Sequence, residues 1–406
     1  MTTAGPRYPS RVDSPELRKI AELVGLAAIP HDRADVALRR WKALKDAGKQ
    51  TSLIVVFYQS GLLTKTQALV LARADLTERQ PFSRYKLLRL VGEGGMALVY
   101  EATFLEVKAR VALKVLDTKF ALLEKFRQRF KREAYILQHL DHENIIEGKE
   151  YGSEDGIDYC AMGMADGVSL LDLLEKGVKL SELLSLQVTV QAASALQHMF
   201  EKGVVHRDMK PANLVLDHEG TVQIIDFGLA KLMTGMWADT TEETTVGTIE
   251  YMSPEQARGR ADVDIRSDIY GLGCTLFHMV TGELPFQGTP SQVMFAQVKQ
   301  EVEFSAIQRA RCSAPVQFIL RKMMAKEPAD RYQTPQALLD DIVSLCGDVL
   351  AKDVDVPAEV GEAAVESAPI APQSLRGPAP GDGSSTKGAI PQRLPPGRAR
   401  VRRRRT

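Results

Sequence analysis

Apolar side chains change their period along this chain, and each change marks a different kind of element. Between residues 12 and 80 they recur at helical spacing: Leu17, Ile20, Leu23 and Val24 follow Ser14-Pro15-Glu16, a cap, a first-turn proline and an early acid that predict a helix start. A second helix is expected over residues 33–47, stopped by Gly48. Thr64-Lys65-Thr66-Gln67 has the spacing of a capping box ahead of Ala68, Leu69 and Leu71. From Phe82 the pattern turns into short strand-like runs over residues 85–91, 99–104 and 111–116, separated by glycines. A strongly charged helix is expected over residues 121–140, further short strands over 145–164, and mostly helix over 169–349. Beyond Lys352, Pro, Ala, Gly and Ser replace the large apolar side chains. Too little surface can be buried there to offset the entropy of ordering, so residues 349–406 read as a disordered tail.

Three regions follow: 1–81, a small helical region; 82–348, an α+β domain with a sheet-rich lobe before a helix-rich lobe; and 349–406, the tail. A ligand is expected in the cleft between such lobes. The N-terminal helices carry nothing that resembles a catalytic site. They read as a bundle packed on or tethered to the next domain, with docking or dimerisation as the alternative. Lys plus Arg equals Asp plus Glu at 52 each, so the whole chain has no charge-driven preference for nucleic acid or membrane. Locally, the stretch from Lys387 holds Arg393, Arg398, Arg400 and Arg402 to Arg405 without an acid. That stretch is either a solvated tail or an electrostatic contact for nucleic acid, anionic lipid or an acidic partner. The longest apolar run, residues 53–58, is too short to span a bilayer. The first residues lack the charged and apolar regions of an export signal, so a cytoplasmic protein is expected. Cys160, Cys274, Cys312 and Cys346 show no CxxC spacing, which argues against a zinc site or a disulfide framework.

Candidate chemistry begins at Val91-Gly92-Glu93-Gly94-Gly95-Met96-Ala97-Leu98-Val99. Gly92, Gly94 and Gly95 would let backbone amides approach phosphate oxygens, although such turns also close ordinary hairpins. Lys114, ending the apolar run Val111-Ala112-Leu113, adds a fixed positive charge for phosphates to meet. Glu133 has the spacing to orient that lysine, while Lys131 and Arg132 beside it would equally suit a solvated helix face. Asp208 follows Val204-Val205-His206-Arg207, read as an apolar strand end turning into a loop, and is a candidate base for an incoming hydroxyl. Lys210 can neutralise charge on a transferring phosphoryl group, and Asn213 offers an amide oxygen to a metal. Asp226 follows the apolar run Val222-Gln223-Ile224-Ile225, and its carboxylate suits hard Mg²⁺.

Residues 82–348 resemble a protein kinase of the eukaryotic-like (Hanks-type) serine/threonine family in its bacterial style. The resemblance is carried by the glycine-rich turn, Val111-Ala112-Leu113-Lys114, His206-Arg207-Asp208 with Lys210 and Asn213, Asp226-Phe227-Gly228, and Ser253-Pro254-Glu255 with Arg331. It implies a bilobal fold, a β-rich N-lobe and an α-helical C-lobe, with Mg²⁺ and ATP as cofactors and protein Ser/Thr hydroxyls as acceptors. The implied enzyme is a non-specific protein serine/threonine kinase. Asp208, Lys210 and Lys114 would be catalytic, and Asn213 and Asp226 would hold metal. The nucleotide would meet Val91 through Val99, Ala112, Lys114 and Glu133. Val99 and Ala112 would lie above the adenine and Val215 below it, with Met162 as gatekeeper and the backbone of Gly163 and Ala165 on its edge. Leu137, His206 and Phe227 would stack when the helix bearing Glu133 swings in. Glu255 and Arg331 would form a buried ion pair, and Asp268 would receive backbone donors from the catalytic loop.

Arg207 could pair with a phosphothreonine among Thr240, Thr241, Thr244 and Thr245, so autophosphorylation is expected, at Thr244 or Thr245 first, within a homodimer. Thr248 more resembles the residue that shapes the substrate groove. Two departures stand out: Ala97 at the third glycine position, and Ser253 where the family has alanine. The alternatives are a kinase-fold signalling scaffold and a small-molecule kinase. Unreplaced Lys114, Asp208 and Asp226 speak against the first; Lys210 and residues 247–255 speak against the second.

Overall fold

The computed structural model describes residues 15–25, 28–49, 51–72, 76–93, 96–226, 249–352 and 356–360. Among them, residues up to Leu90, Met96–Tyr135 and Lys149–Ala161 form one unit; residues 91–93, Ile136–Gly148 and those from Met162 onward form the other.

In the first unit, α1 (Pro15–Gly25), α2 (His31–Asp46), α3 (Leu53–Gln59) and α4 (Lys65–Leu71) close around Ile20, Leu23, Trp41, Leu53, Val56 and Phe57. The apolar run 53–58 is helical because Leu53, Ile54, Val56 and Phe57 then share one buried face while Val55 and Tyr58 turn outward. Glu16 accepts hydrogen bonds from Ser52 Oγ and Leu53 N, each 2.9 Å, placing a negative charge at the start of α3. The capping box at Thr64 and Gln67 is formed as expected.

After α5 (Leu76–Arg79), the strands β1 (Tyr85–Glu93), β2 (Ala97–Phe104), β3 (Ala109–Leu116), β4 (Gly148–Glu154) and β5 (Ile157–Met162) make one sheet in the order β1-β2-β3-β5-β4. The β2/β3 register sets Val99 opposite Lys114 and Glu101 opposite Ala112. Tyr85, Leu98, Val111, Leu113 and Val115 share a core with Phe126, Phe130 and Ala134, each large side chain contributing about 1.5–3 kcal/mol through burial.

The helix expected over 121–140 is present as α7 (Glu124–Gln138), and a separate one-turn helix, α6 (Thr118–Ala121), precedes it. Asp117 caps that turn through Lys119 N at 3.1 Å, and Leu122, its C-cap, packs on the N-terminal bundle.

In the second unit, β6 (Val168–Ser169), β7 (Leu214–Leu216) and β8 (Val222–Ile224) form an antiparallel sheet in that order. Around it lie α8 (Leu170–Glu175), α9 (Glu182–Glu201), α10 (Pro254–Ala257), α11 (Ile265–Thr281), α12 (Pro290–Lys299), α13 (Ala306–Arg311), α14 (Ala314–Met323) and α15 (Pro335–Leu350). Helix α11 is buried on nearly all sides, which explains its continuous run of apolar and small residues. The tail reading from 349 needs correction at its start, since α15 runs to Leu350 and Val356 and Val360 are buried. Residues beyond 360, including the arginine-rich stretch, lie outside the described residues. The four cysteines are free and buried, and burial pushes the Cys160, Cys274 and Cys312 thiols up to about 12. No helix among the described residues is long and apolar enough to cross a membrane.

Candidate active site

Lys114 occupies β3 and Glu133 the middle of α7; their Nζ and Oε1 atoms stand 2.7 Å apart. Both side chains are about nine-tenths buried, so the pair is screened little by solvent and each group fixes the direction of the other. This resolves the two readings of Glu133 in favour of pairing. Val91, Gly92 and Glu93 end β1, while Ala97, Leu98 and Val99 begin β2 and are buried, as is Ala112. Met96 precedes β2; Gly94 and Gly95 lie outside the described residues.

In the second unit, Asp208, Lys210, Asn213 and Asp226 are all buried. The strand end expected at Val204-Val205 is absent: residues 204–209 form a loop. The amides of His206 and Arg207 donate to the carboxylate of Asp268, at 2.7 and 2.6 Å, where a strand would have sent them to a neighbour. Burial raises the Asp268 carboxyl to about 7 against those same donors. Arg207 has φ 71, a left-handed conformation costing roughly 1–3 kcal/mol, held by the Asp268 contact and by Gln256 Nε2 donating to its carbonyl at 2.8 Å. Gly271 of α11 lets the helix approach this loop, since a Cβ there would sit 2.7 Å from Met209 O.

Asp208 Oδ2 meets Lys210 Nζ at 3.0 Å and Asn213 Nδ2 at 3.1 Å, and Nδ2 also donates to Asp208 O at 2.8 Å. Asn213 Oδ1, buried, has no hydrogen-bond partner among the described residues. Ile225 N donates to Asn213 O at 3.1 Å, which ties the residue before Asp226 to Asn213. An oxygen left without a donor beside a carboxylate suits a hard cation. Among the described residues no group of three or more His, Cys, Asp or Glu is placed to hold a metal ion. Met162 ends β5, Ala165 and Val215 are buried, and Gly163 N donates to Glu147 O at 2.7 Å. Phe227, Thr240, Thr241, Thr244, Thr245 and Thr248 lie outside the described residues.

Residues 85–342 match the protein kinase domain family. This chain belongs to that family. The kinase domain is 37% identical over 261 residues to the serine/threonine-protein kinase PrkC of Bacillus subtilis, covering 64% of this chain and 40% of that protein. It is 35% identical over 266 residues to the serine/threonine-protein kinase PknB of Mycobacterium tuberculosis, covering 64% and 42%. The chain thus spans about two fifths of the length of these relatives. The fold also resembles that of Rad53 residues 1–466 in complex with AMP-PNP, with TM-score 0.54 and 24% identity over 64% of this chain and 65% of that one. Relatives of this kind identify the chain as a Hanks-type kinase in its bacterial style, with a β-sheet lobe and a helical lobe.

Several residues that organise this kinase domain left no mark in the sequence. Gln297 Nε2 donates to the carbonyls of Ile249 and Glu250 at 3.2 and 2.6 Å, while Tyr270 donates to its Oε1 at 2.5 Å and Lys326 to Tyr270 at 2.8 Å. A glutamine in a short amphipathic helix gives no signal that it will be fully buried. Ser253, a departure from the family, caps α10 by a capping box with Gln256, which accounts for the hydroxyl.

His278 Nδ1 lies 2.8 Å from the Tyr251 hydroxyl, and burial lowers its pKa to about 4. A neutral imidazole can accept from that tyrosine; a charged one cannot. In the unfolded chain this histidine titrates near 6.5, so the unfolded state binds more protons between those values and stability falls as pH drops through that window. Acidifying from about pH 7 to about pH 5 is expected to cost about 2 kcal/mol through this group, measured by urea unfolding. His278→Gln should remove that share of the pH dependence; an unchanged slope would refute the assignment.

Proposed function

We propose that the chain is an ATP-dependent serine/threonine protein kinase that transfers the γ-phosphoryl group to Ser or Thr hydroxyls of proteins. The observation that carries this reading is the buried trio Asp208, Lys210 and Asn213, with one amide oxygen unused among the described residues. Asp208 is gripped at Oδ2 by a cation and an amide, which sets its direction; it would orient the acceptor hydroxyl and take its proton. Lys210, fixed against that carboxylate, would carry positive charge to the transferring group. Lys114, aimed by Glu133, would hold the phosphates of ATP, and Val99, Ala112, Met162, Gly163, Ala165 and Val215 would receive the adenine. Asn213 Oδ1 and Asp226 would be the protein ligands of Mg²⁺, which when bound neutralises phosphate charge. We infer action in the cytoplasm, where ATP is available and four buried thiols stay reduced.

Activation by autophosphorylation between two copies, at Thr244 or Thr245, belongs to the same proposal. Arg207 beside Asp208 supplies the charge to pair with the phosphate. The test is incubation of the full chain with Mg²⁺ and labelled ATP, alone and with a basic protein acceptor, followed by mass spectrometry. Phosphoserine or phosphothreonine on the acceptor and on residues 240–245 is expected. An active kinase without phosphate in that segment would refute the activation proposal, and nucleotide binding without any transfer would leave the scaffold reading.

A further inference from the structure

The N-terminal helices are joined to the chain segment that places Glu133. Thr118, fully buried at the start of α6, donates its hydroxyl to the carbonyl of Gln67 in α4 at 2.7 Å. Gln67 is also the inner member of the α4 capping box, and its Nε2 donates to Gly156 O at 3.1 Å. Beside it, Thr64 Oγ1 donates to Asp155 O at 2.6 Å and Thr66 N to Asp155 Oδ2 at 2.9 Å. Asp155 and Gly156 adopt φ 47 and 77, a tight β4–β5 turn; a Cβ on Gly156 would stand 2.8 Å from Gln67 Nε2. One short helix therefore grips both the β4–β5 turn and the β3–α7 connection.

The same connection is held at further points. Leu122 packs on the bundle core, and Lys119 Nζ meets Glu22 of α1 at 3.0 Å. Val70 and Leu76 enter the core that receives Phe126, Phe130 and Ala134 of α7. On α7 itself, Arg127 binds Asp158 of β5 through Nε and Nη2 at 2.7 and 3.1 Å. Residues 117–123 lie between Lys114 and α7, so any slack there is passed to the start of the helix that carries Glu133.

We propose that residues 15–79 act as a positioning element for the kinase domain, through the Thr118–Gln67 bond and the Asp155 turn, holding α7 so that Glu133 stays on Lys114. Thr118 and Gln67 are positioning residues in this scheme. Loosening their contact frees the β3–α7 connection without touching either member of the ion pair. The scheme rests on the proposed kinase activity, in which Glu133 aims Lys114.

The test uses the full chain with Thr118→Val, Thr118→Ser, Asp155→Gly and Glu133→Gln, and the double variant Thr118→Val with Glu133→Gln. Asp155→Gly keeps the left-handed turn while removing the carboxylate. Transfer to a peptide acceptor is expected to fall roughly tenfold in Thr118→Val and in Asp155→Gly, and to return in Thr118→Ser. In the Glu133→Gln background Thr118→Val should have almost no further effect, since both act through one contact. Independently of activity, amide exchange of residues 124–138 should quicken in Thr118→Val and Asp155→Gly while that of β2 and β3 stays unchanged. Wild-type rates and exchange in both variants would overturn the proposal, as would the same fold-loss from Thr118→Val with and without Glu133. Should Thr118→Val fail to fold, Asp155→Gly decides by the same two measurements. An inactive wild-type chain would instead sink the activity reading, and the exchange result would still judge the coupling.

Discussion

Asp208→Asn in the full chain is expected to lower phosphoryl transfer by about 10²–10⁴-fold while Mg²⁺-dependent ATP binding persists. The amide has the shape of the carboxylate, so contacts of the backbone with Asn213 and His206 survive. What it loses is a negative charge able to take the proton of a hydroxyl. It also leaves Lys210 facing a neutral group at the place where it now meets Oδ2 at 3.0 Å. Because transfer relies on positioning and charge, both losses act on the rate and neither on the adenine contacts. Radiolabel transfer and calorimetric nucleotide binding, measured on the same protein, check this. A rate within tenfold of wild type would mean that Asp208 is not the base.

The largest stability effect is expected at Arg331. Its guanidinium uses every N–H it has: two bonds to Glu255 at 2.7 and 2.8 Å, and one each to the carbonyls of Ala325, Arg266 and Lys326. Both charged groups are buried, and Ser267 donates to Glu255 as well. Burial alone would raise the Glu255 carboxyl; the hydrogen bonds and charge of Arg331 outweigh it and hold the carboxyl below its ordinary value. Arg331→Met therefore strands a buried carboxylate and three carbonyls together, and should cost about 3–5 kcal/mol or more in urea unfolding. Glu255→Gln should cost less, because the carbonyl contacts remain. Replacing both charges by apolar groups restores stability in some buried pairs, but here the three carbonyls would still lack donors, so the double variant should not recover. A loss below about 1 kcal/mol for Arg331→Met would show that the segment is held by other contacts.

Local signals in the sequence located most elements, and their failures share a cause. The Thr64–Gln67 capping box was legible because both partners lie within one helical turn. The separate turn α6 was not, since its Thr118 and the Leu122 that caps it are held by a bundle whose residues lie between Leu17 and Leu71, far back along the chain. Val204 and Val205 looked like a strand by composition, yet the acceptor for the following amides is Asp268, some sixty residues on. Pattern reports which face of a segment is apolar. It does not report where its backbone hydrogen bonds will end.

The sequence by itself determined which chemical groups are present and in what order: Lys114, Asp208, Lys210, Asn213 and Asp226. Tertiary structure bore out the expected pairs of Lys114 with Glu133 and Arg331 with Glu255, and alone decided that Thr118 meets Gln67. Lys114 met Glu133 at a separation of 19 residues, Thr118 met Gln67 at 51, and Arg331 met Glu255 at 76. The physical reason is that a charge or hydroxyl takes its strength from desolvation and from the donor opposite it. Both are set by how distant segments pack, beyond the reach of neighbours along the chain.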